Sequence, residues 1–274
     1  MKSIAAYLAV MLFCSLSFGQ NNIDSQVLLN SMDQSVSIRV QAVDGSGCYG
    51  TGVLIAKSLP DSKNDSTIRV NLVLTCAHLF KKDIMVTTAF DIKMSSSISV
   101  YKHRVNNNGT KIGEDQWFAD LIFINYSRDI AILRVNGCKD LISNTVFYSD
   151  KIIRLGTPIY HVSCFIPYSY SVMGCMISNP DFILESDKKN TFDKIDCVAV
   201  GGSSGGGVFT MDGQCIGLLS IAYKGARCSL IIPIRCIREC ASKNNMGWVF
   251  EGQDLPDISD LDKYIKDIKL KLYE

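Results

Sequence analysis

The chain has 274 residues, 47% of them hydrophobic and 20% charged, which is enough to build one large or two small domains around a real core. With Lys2 set aside from the 28 basic residues, 27 basic residues face 27 acidic ones, so no charge bias points to nucleic acid or an anionic membrane. Residues 1–19 carry Lys2, an apolar run over 4–13 and the small-residue end Ser17-Phe18-Gly19, the pattern of a secretory signal peptide. The run is short of the roughly 20 residues a spanning helix needs, and no later segment reaches that length, so no membrane span is expected in a mature chain starting near Gln20. Cys14 follows Leu12-Phe13 and sits in no lipoprotein box. The other ten of the eleven cysteines form an even, high count, which in an exported chain predicts disulfides with the pairing left open. No Cys-x-x-Cys occurs, and Cys236 and Cys240 have no histidine nearby, so neither a metal site nor a cofactor is expected.

Residues 20–32 read as a polar lead-in. Alternation at 36–40 predicts a half-buried strand, and a glycine-rich turn region over 44–52 feeds a strand at 53–56. A hairpin loop at 58–66 leads to a strand at 68–75. Further strands are expected at 84–90, 98–101, 121–125 and 130–135, with a polar loop over 106–115. A second series begins near Pro158, with strands at 159–165, 171–177, 182–184, 195–200, 208–210, 215–223 and 229–232. Asp212-Gly213 marks a hairpin turn within 211–214. Many short strands punctuated by turns indicate barrels or a sandwich. Two helices close the chain: one over 233–244 with proline in its first turn, and an amphipathic one over 261–272. Asn64, Asn108 and Asn125 head Asn-x-Ser/Thr sequons.

Within this frame the run Gly201-Gly202-Ser203-Ser204-Gly205-Gly206-Gly207 stands between two apolar segments. So short and tightly bracketed a stretch is a poor linker, but it suits a loop that aims backbone N–H groups at one point. It contains Gly-x-Ser-Gly-Gly, and upstream lie Thr75-Cys76-Ala77-His78 and Asp129-Ile130-Ala131-Ile132-Leu133. Gly50-Thr51-Gly52-Val53-Leu54-Ile55 precedes them all. These four motifs, in this order, resemble the trypsin-like serine protease family over residues 33–240, in detail the HtrA/Deg-like branch, with no region left for a PDZ domain. The resemblance implies an all-β fold of two packed six-stranded antiparallel barrels with a C-terminal helix. It divides the chain into the signal peptide 1–19, a first barrel within 20–145, a second within 146–240 and a helical tail 241–274, joined near 136–150.

The resemblance also implies roles. Ser204 is the expected nucleophile, His78 the base and then acid, and Asp129 the group that orients the imidazole. Backbone N–H groups of Gly202 and Ser204 form the expected oxyanion hole. By offset from the nucleophile, Val198 lies at the base of the primary specificity pocket, with Ser220, Ala222 and Ser229 as further lining, which suits a small or medium apolar side chain. Two residues depart from the family pattern. Ser203 stands where digestive enzymes carry an aspartate that binds the freed N-terminus, and Gly207 stands where relatives often have proline. His103 and His161 lack motif context and read as structural or surface residues, with His161 also able to line the cleft. The expected function is a secreted serine endopeptidase acting on protein or peptide substrates; the alternative is an inactive homologue that binds partners through the same cleft.

Overall fold

The computed structural model describes residues 23–273, apart from 43–45, 81–94, 139–140, 142–144, 149–151, 166–168 and 224. Leu54, Val73 and Leu133 are fully buried in one apolar cluster, while their neighbours Val53, Leu72, Leu74 and Ile132 are fully buried in another. Successive strand residues point to opposite faces, so these strands must be covered on both sides.

Two closed barrels supply the covers. Strands β1 (Ser35–Ala42), β2 (Gly47–Asp61), β3 (Ser66–Thr75), β4 (Ser95–Val105), β5 (Lys111–Asn125) and β6 (Ile130–Val135) close in the order β1-β2-β3-β6-β5-β4, each pair antiparallel. Strands β7 (Pro158–Phe165), β8 (Ser169–Leu184), β9 (Asp187–Ile195), β10 (Gly207–Thr210), β11 (Cys215–Ala222) and β12 (Ser229–Pro233) close the second, in the order β10-β11-β12-β9-β8-β7. Closure leaves no free sheet edge. Val36, Ile38, Leu54, Val73 and Leu133 belong to the cluster of the first barrel, and Ile159, Ile177, Ile195, Val208 and Leu219 to that of the second. A third cluster runs from Val53, Leu72 and Leu74 to Tyr160, Phe209 and Leu230, and on to Trp248 and Leu261. Burying each such side chain contributes about 1.5–3 kcal/mol, so the contact between barrels is as much a core as either interior.

Among the described residues three α-helices lie around this body: α1 (Ser25–Asp33), α2 (Ile234–Lys243) and α3 (Ile258–Tyr273). Helix α2 follows Pro233, whose φ of −66° suits helix entry. Helix α3 lies against β5 and β2, with Leu261 buried and Asp262 bonded to Arg134 at 2.8 Å. Among the described residues no helix is long and apolar enough to cross a membrane.

Several expectations are corrected here. The lead-in is helix α1, whose Asp24 cap accepts from Gln26 and Val27 N–H and whose Met32 is buried. Ser31 Oγ meets the buried Tyr160 hydroxyl at 2.7 Å, and the Lys102 ammonium bonds the Met32 and Asp33 carbonyls, so tertiary partners hold this polar stretch. The loop at 106–115 shrinks to a turn at 106–110, because Lys111 to Asp115 belong to β5. Their charges face solvent and pair across or along the strands, Arg104 with Asp115 and Lys111 with Glu114. Strands 171–177 and 182–184 are one strand, β8, with register shifts around Asn179 that accommodate Pro180. Strand β9 is the charged stretch ending at Ile195, and 196–200 is irregular rather than strand. β2 runs on to Asp61, leaving only a tight turn of the loop expected at 58–66. The strand expected at 84–90 and the signal peptide lie outside the described residues. All ten cysteines after Cys14 are free thiols rather than disulfides, and Cys76, Cys164 and Cys215 are wholly buried as small core residues.

Candidate active site

β3 ends at Thr75, and the chain turns at once through a 3-10 helix, Ala77–Phe80, that carries His78 at the surface with 42% of its side chain exposed. Asp129 ends the tight turn between β5 and β6 with a left-handed φ of 55°, a conformation aspartate tolerates better than most residues. The turn aims its carboxylate at the histidine. Asp129 Oδ1 accepts the His78 backbone N–H at 2.8 Å, and the ring Nδ1 lies 3.0 and 2.9 Å from the two carboxylate oxygens. Ser220 Oγ donates to Oδ2 at 2.5 Å. Burial alone would raise the Asp129 carboxyl, but the hydrogen bonds from His78 and Ser220 outweigh it and hold the group ionised below its ordinary value. With Nδ1 donating to this carboxylate, a neutral His78 ring carries its lone pair on Nε2.

Beneath the pair lies Cys76, fully buried, its thiol donating to Leu219 O at 3.3 Å. Burial, and then the Asp129 charge, push this thiol well above its ordinary value. Cys76, His78 and Asp129 each place one ligand-type atom within 4.8 Å of the others. A metal would need the thiolate, and a buried thiol beside a carboxylate keeps its proton, so the trio does not suit an ion.

The glycine loop docks on the first barrel. Thr51 N–H donates to Ser204 O at 2.8 Å, and Thr51 Oγ1 donates to Gly202 O at 2.8 Å. Gly205, at φ 81°, passes so close that a Cβ there would lie 2.2 Å from both Thr51 O and Thr75 Oγ1. Its N–H donates to Leu219 O at 2.8 Å. Thr75 and Cys76 immediately precede the His78 turn, so the loop bearing Ser204 abuts the segment bearing His78. Ser203 is 2% exposed, and its Oγ accepts from Val200 N–H at 3.3 Å. Among the described residues the N–H groups of Gly202 and Ser204 donate to no acceptor, and Ser204 Oγ and His78 Nε2 bond neither to each other nor to another group.

The expected pocket residues lie along the segment that leads into this loop and on the neighbouring strands. Val198 is 38% exposed, and Val200 and Tyr223 are exposed as well. Ala222, exposed, pairs with Ser229 across β11 and β12. Ser229 is buried and bonds Cys197 O at 2.9 Å. The Ser220 hydroxyl is taken up by Asp129 rather than turned to a pocket. His103 is buried elsewhere, 3.4 Å from Ser37 Oγ and with its ring tilted against that of Tyr170. His161 is buried behind the loop, its Nε2 2.6 Å from where a Gly206 Cβ would stand. Sequence reasoning missed the loop-anchoring work of Thr51 and Thr75, although both lie inside the motifs it singled out. It also missed the Ser220 bond to Asp129, for which no local pattern exists.

Known proteins agree with this architecture. The crystal structure of the Rv3671c protease from M. tuberculosis, active form, matches 81% of this chain and 85% of its own at TM-score 0.57 and 16% identity. Deg5 matches over 78% of this chain and 90% of that one, at TM-score 0.57 and 14% identity. An HtrA-type protease, AlgW, with a tripeptide matches over 82% and 64%, at TM-score 0.59 and 17% identity. At such identities the likeness is one of fold. No curated protein sequence matches the chain. The family model for a trypsin-like peptidase domain, however, matches residues 50–218, from β2 to β11, a span that contains His78, Asp129 and Ser204. A match across that span makes the chain a member of the trypsin-like peptidase family and, with it, a serine endopeptidase.

Proposed function

We propose that the chain is an exported endopeptidase of HtrA/Deg-like character, with His78, Asp129 and Ser204 as its catalytic triad. The observation that carries this reading is the His78–Asp129 hydrogen-bonded pair abutting a glycine loop with two free N–H groups. Ser204 Oγ attacks the scissile carbonyl as His78 Nε2 takes its proton. The imidazolium is stabilised by the ionised Asp129, which Ser220 holds in turn. The carbonyl oxygen, now negative, is met by the N–H groups of Gly202 and Ser204, each such donor being worth about 2.7–4 kcal/mol. His78 then protonates the leaving amine, and water hydrolyses the acyl-enzyme by the same steps in reverse. Ser204 and His78 are not hydrogen-bonded in the free protein, and substrate binding draws such contacts together.

Val198, at the expected base of the pocket, offers no carboxylate to a basic side chain, and Val198, Val200 and Tyr223 are exposed apolar side chains. Small or medium apolar residues are therefore the expected primary specificity, since an unpaired buried cation costs several kcal/mol. Ser203 provides no ion pair for a freed N-terminus, so no trypsin-style activation is needed. Residues 1–19 direct export, the two halves extend over 20–145 and 146–240, and 241–274 forms the tail. A fluorophosphonate probe tests the reading: it should label Ser204 in the folded protein and fail on Ser204→Ala. A folded protein that takes no label would instead be an inactive homologue binding through its cleft. A positional peptide library completes the test, and a dominant preference for Arg or Lys would refute the apolar pocket.

A further inference from the structure

We propose that Cys175 and Cys197 are a redox pair that closes to a disulfide and fastens the segment leading to Ser204 onto strand β8. Ile177 of β8 pairs with Ile195 of β9. One step on, Asp196 N–H donates to Met176 O at 3.1 Å and Met176 N–H to Asp196 Oδ1 at 2.7 Å. The next residues in this antiparallel register are Cys175 and Cys197, directly opposite each other. Opposed residues hold their Cβ atoms about 4.5–5.5 Å apart, close to the roughly 3.5–4.5 Å a disulfide needs. Both side chains turn to the same face, into the cluster of the second barrel: Cys197 is fully buried, and Cys175, half-buried, packs against that cluster. The other cysteines of the second half lack such an opposed partner in the ladders: Cys215 pairs with Phe209, and Cys164 with Tyr170.

The chemistry of the pair is asymmetric. Cys175 Sγ donates to Met173 O at 3.2 Å and Cys197 Sγ to Val198 O at 3.6 Å. The nearness of the two thiols raises that of Cys175 and lowers that of Cys197, which the His161 imidazole beside it lowers further. Cys175 is the reachable sulfur and Cys197 the poised one. With a small disulfide such as oxidised glutathione, Cys175 gives up its proton and attacks, forming a mixed disulfide and releasing one glutathione thiolate, which takes that proton. Cys197 then gives up its proton and attacks the Cys175 sulfur, the bond from that sulfur to glutathione breaks, and the second glutathione leaves as a thiolate that takes the Cys197 proton. Two protein thiols and one glutathione disulfide thus become one protein disulfide and two glutathione thiols.

Cys197 stands one residue before Val198 and seven before Ser204, and its carbonyl accepts from Ser229. His161 adjoins both Cys197 and Gly206. Fixing Cys197 therefore stiffens the stretch that carries the specificity residue and the loop, which here lacks the aspartate ion pair of digestive enzymes. This last consequence rests on the proposed role of Ser204; the disulfide itself does not.

The test uses the mature chain equilibrated in glutathione buffers, alkylated, digested without reduction and mapped by mass spectrometry. Oxidised glutathione should yield a Cys175–Cys197 cross-linked peptide and raise the thermal midpoint by roughly 5–10 °C, while Cys175→Ser should give no cross-link and no such rise. Finding Cys175 and Cys197 both free, or Cys175 left as a stable glutathione adduct, would overturn the pairing. If the cross-link forms, fluorophosphonate labelling of Ser204 should be faster in the oxidised than in the reduced protein and indifferent to glutathione in Cys175→Ser. Equal labelling of both forms would overturn the coupling to the site, whereas no labelling of either would count against the catalytic reading alone.

Discussion

Gly205→Ala tests whether the loop is shaped by its close approach to the first barrel. The residue sits at φ 81°, where a Cβ costs about 1–2 kcal/mol. That Cβ would also lie 2.2 Å from Thr51 O and 2.2 Å from Thr75 Oγ1, well inside contact distance. One of these atoms is backbone, and the two are hydrogen-bonded to each other at 2.7 Å, so neither can move freely. Overpacking at such a site costs about 1–3 kcal/mol more. The sum is about 2–5 kcal/mol, which for a chain of this length lowers the thermal midpoint by roughly 4–20 °C. A loop pushed back by about 1 Å also loses on the order of 100-fold in labelling rate. Circular dichroism melts and fluorophosphonate labelling measure both. Gly201→Ala is the control, since nothing lies within 4 Å of its Cβ position and its φ is not positive. A Gly205→Ala protein that melts and labels like the parent would refute the argument.

Asp129→Asn should leave the fold intact and lower turnover by about 10⁴, the size of loss known for this change in the trypsin family, because the amide favours the wrong imidazole tautomer; turnover within tenfold of the parent would remove Asp129 from the triad. Arg235 grips the buried Asp193 through two bonds of 2.7 and 3.0 Å, so Arg235→Ala should destabilise by about 3–5 kcal/mol, and a urea midpoint near the parent's would contradict this. Burial, and then the Lys111 charge, lower the His103 imidazole against the opposing pull of Glu114, so its folded form prefers to be neutral. That contribution to stability is full above the unfolded value of about 6.5 and is lost as pH falls below it, so denaturant melts at pH 8 and 5.5 should differ less in His103→Gln than in the parent.

The fold was legible where hydrophobic runs are buried on both faces, as at 130–135 and 208–210, because there the apolar pattern has one structural outcome. It was obscured where polarity reflects exposure rather than irregularity. Lys111 to Asp115 and most of β9 look like loop by composition, yet their ladders to β4 and to β8 make them strand. Helix α1 was hidden for the opposite reason: its polar face meets Tyr160 and Lys102, which lie far away in sequence. At the site, the His78, Asp129 and Ser204 positions stand out because each needs a local turn with its own residue pattern. Ser220 and Thr51 do not, since their work is a single hydrogen bond to a distant partner.

That distance has a consequence for how the site is kept in order. Ser203 cannot make the charge pair that orders the loop in digestive relatives, and its hydroxyl reaches only Val200 within the loop. Leu219 of β11 holds Gly205 N–H and Gly206 O from the loop's own barrel. From the first barrel the restraint comes from Thr51, which holds the carbonyls on either side of Ser203, those of Gly202 and Ser204, and also accepts from Cys164 N–H of β7 at 3.0 Å. One residue of the first barrel thus binds both the loop and a strand of the second. Thr75 Oγ1 holds Thr51 in turn, and three residues later the same strand delivers His78. Docking of the barrels, shaping of the glycine loop and placement of the histidine are therefore one event, and a change that loosens the contact between barrels disorders the loop before it unfolds either barrel.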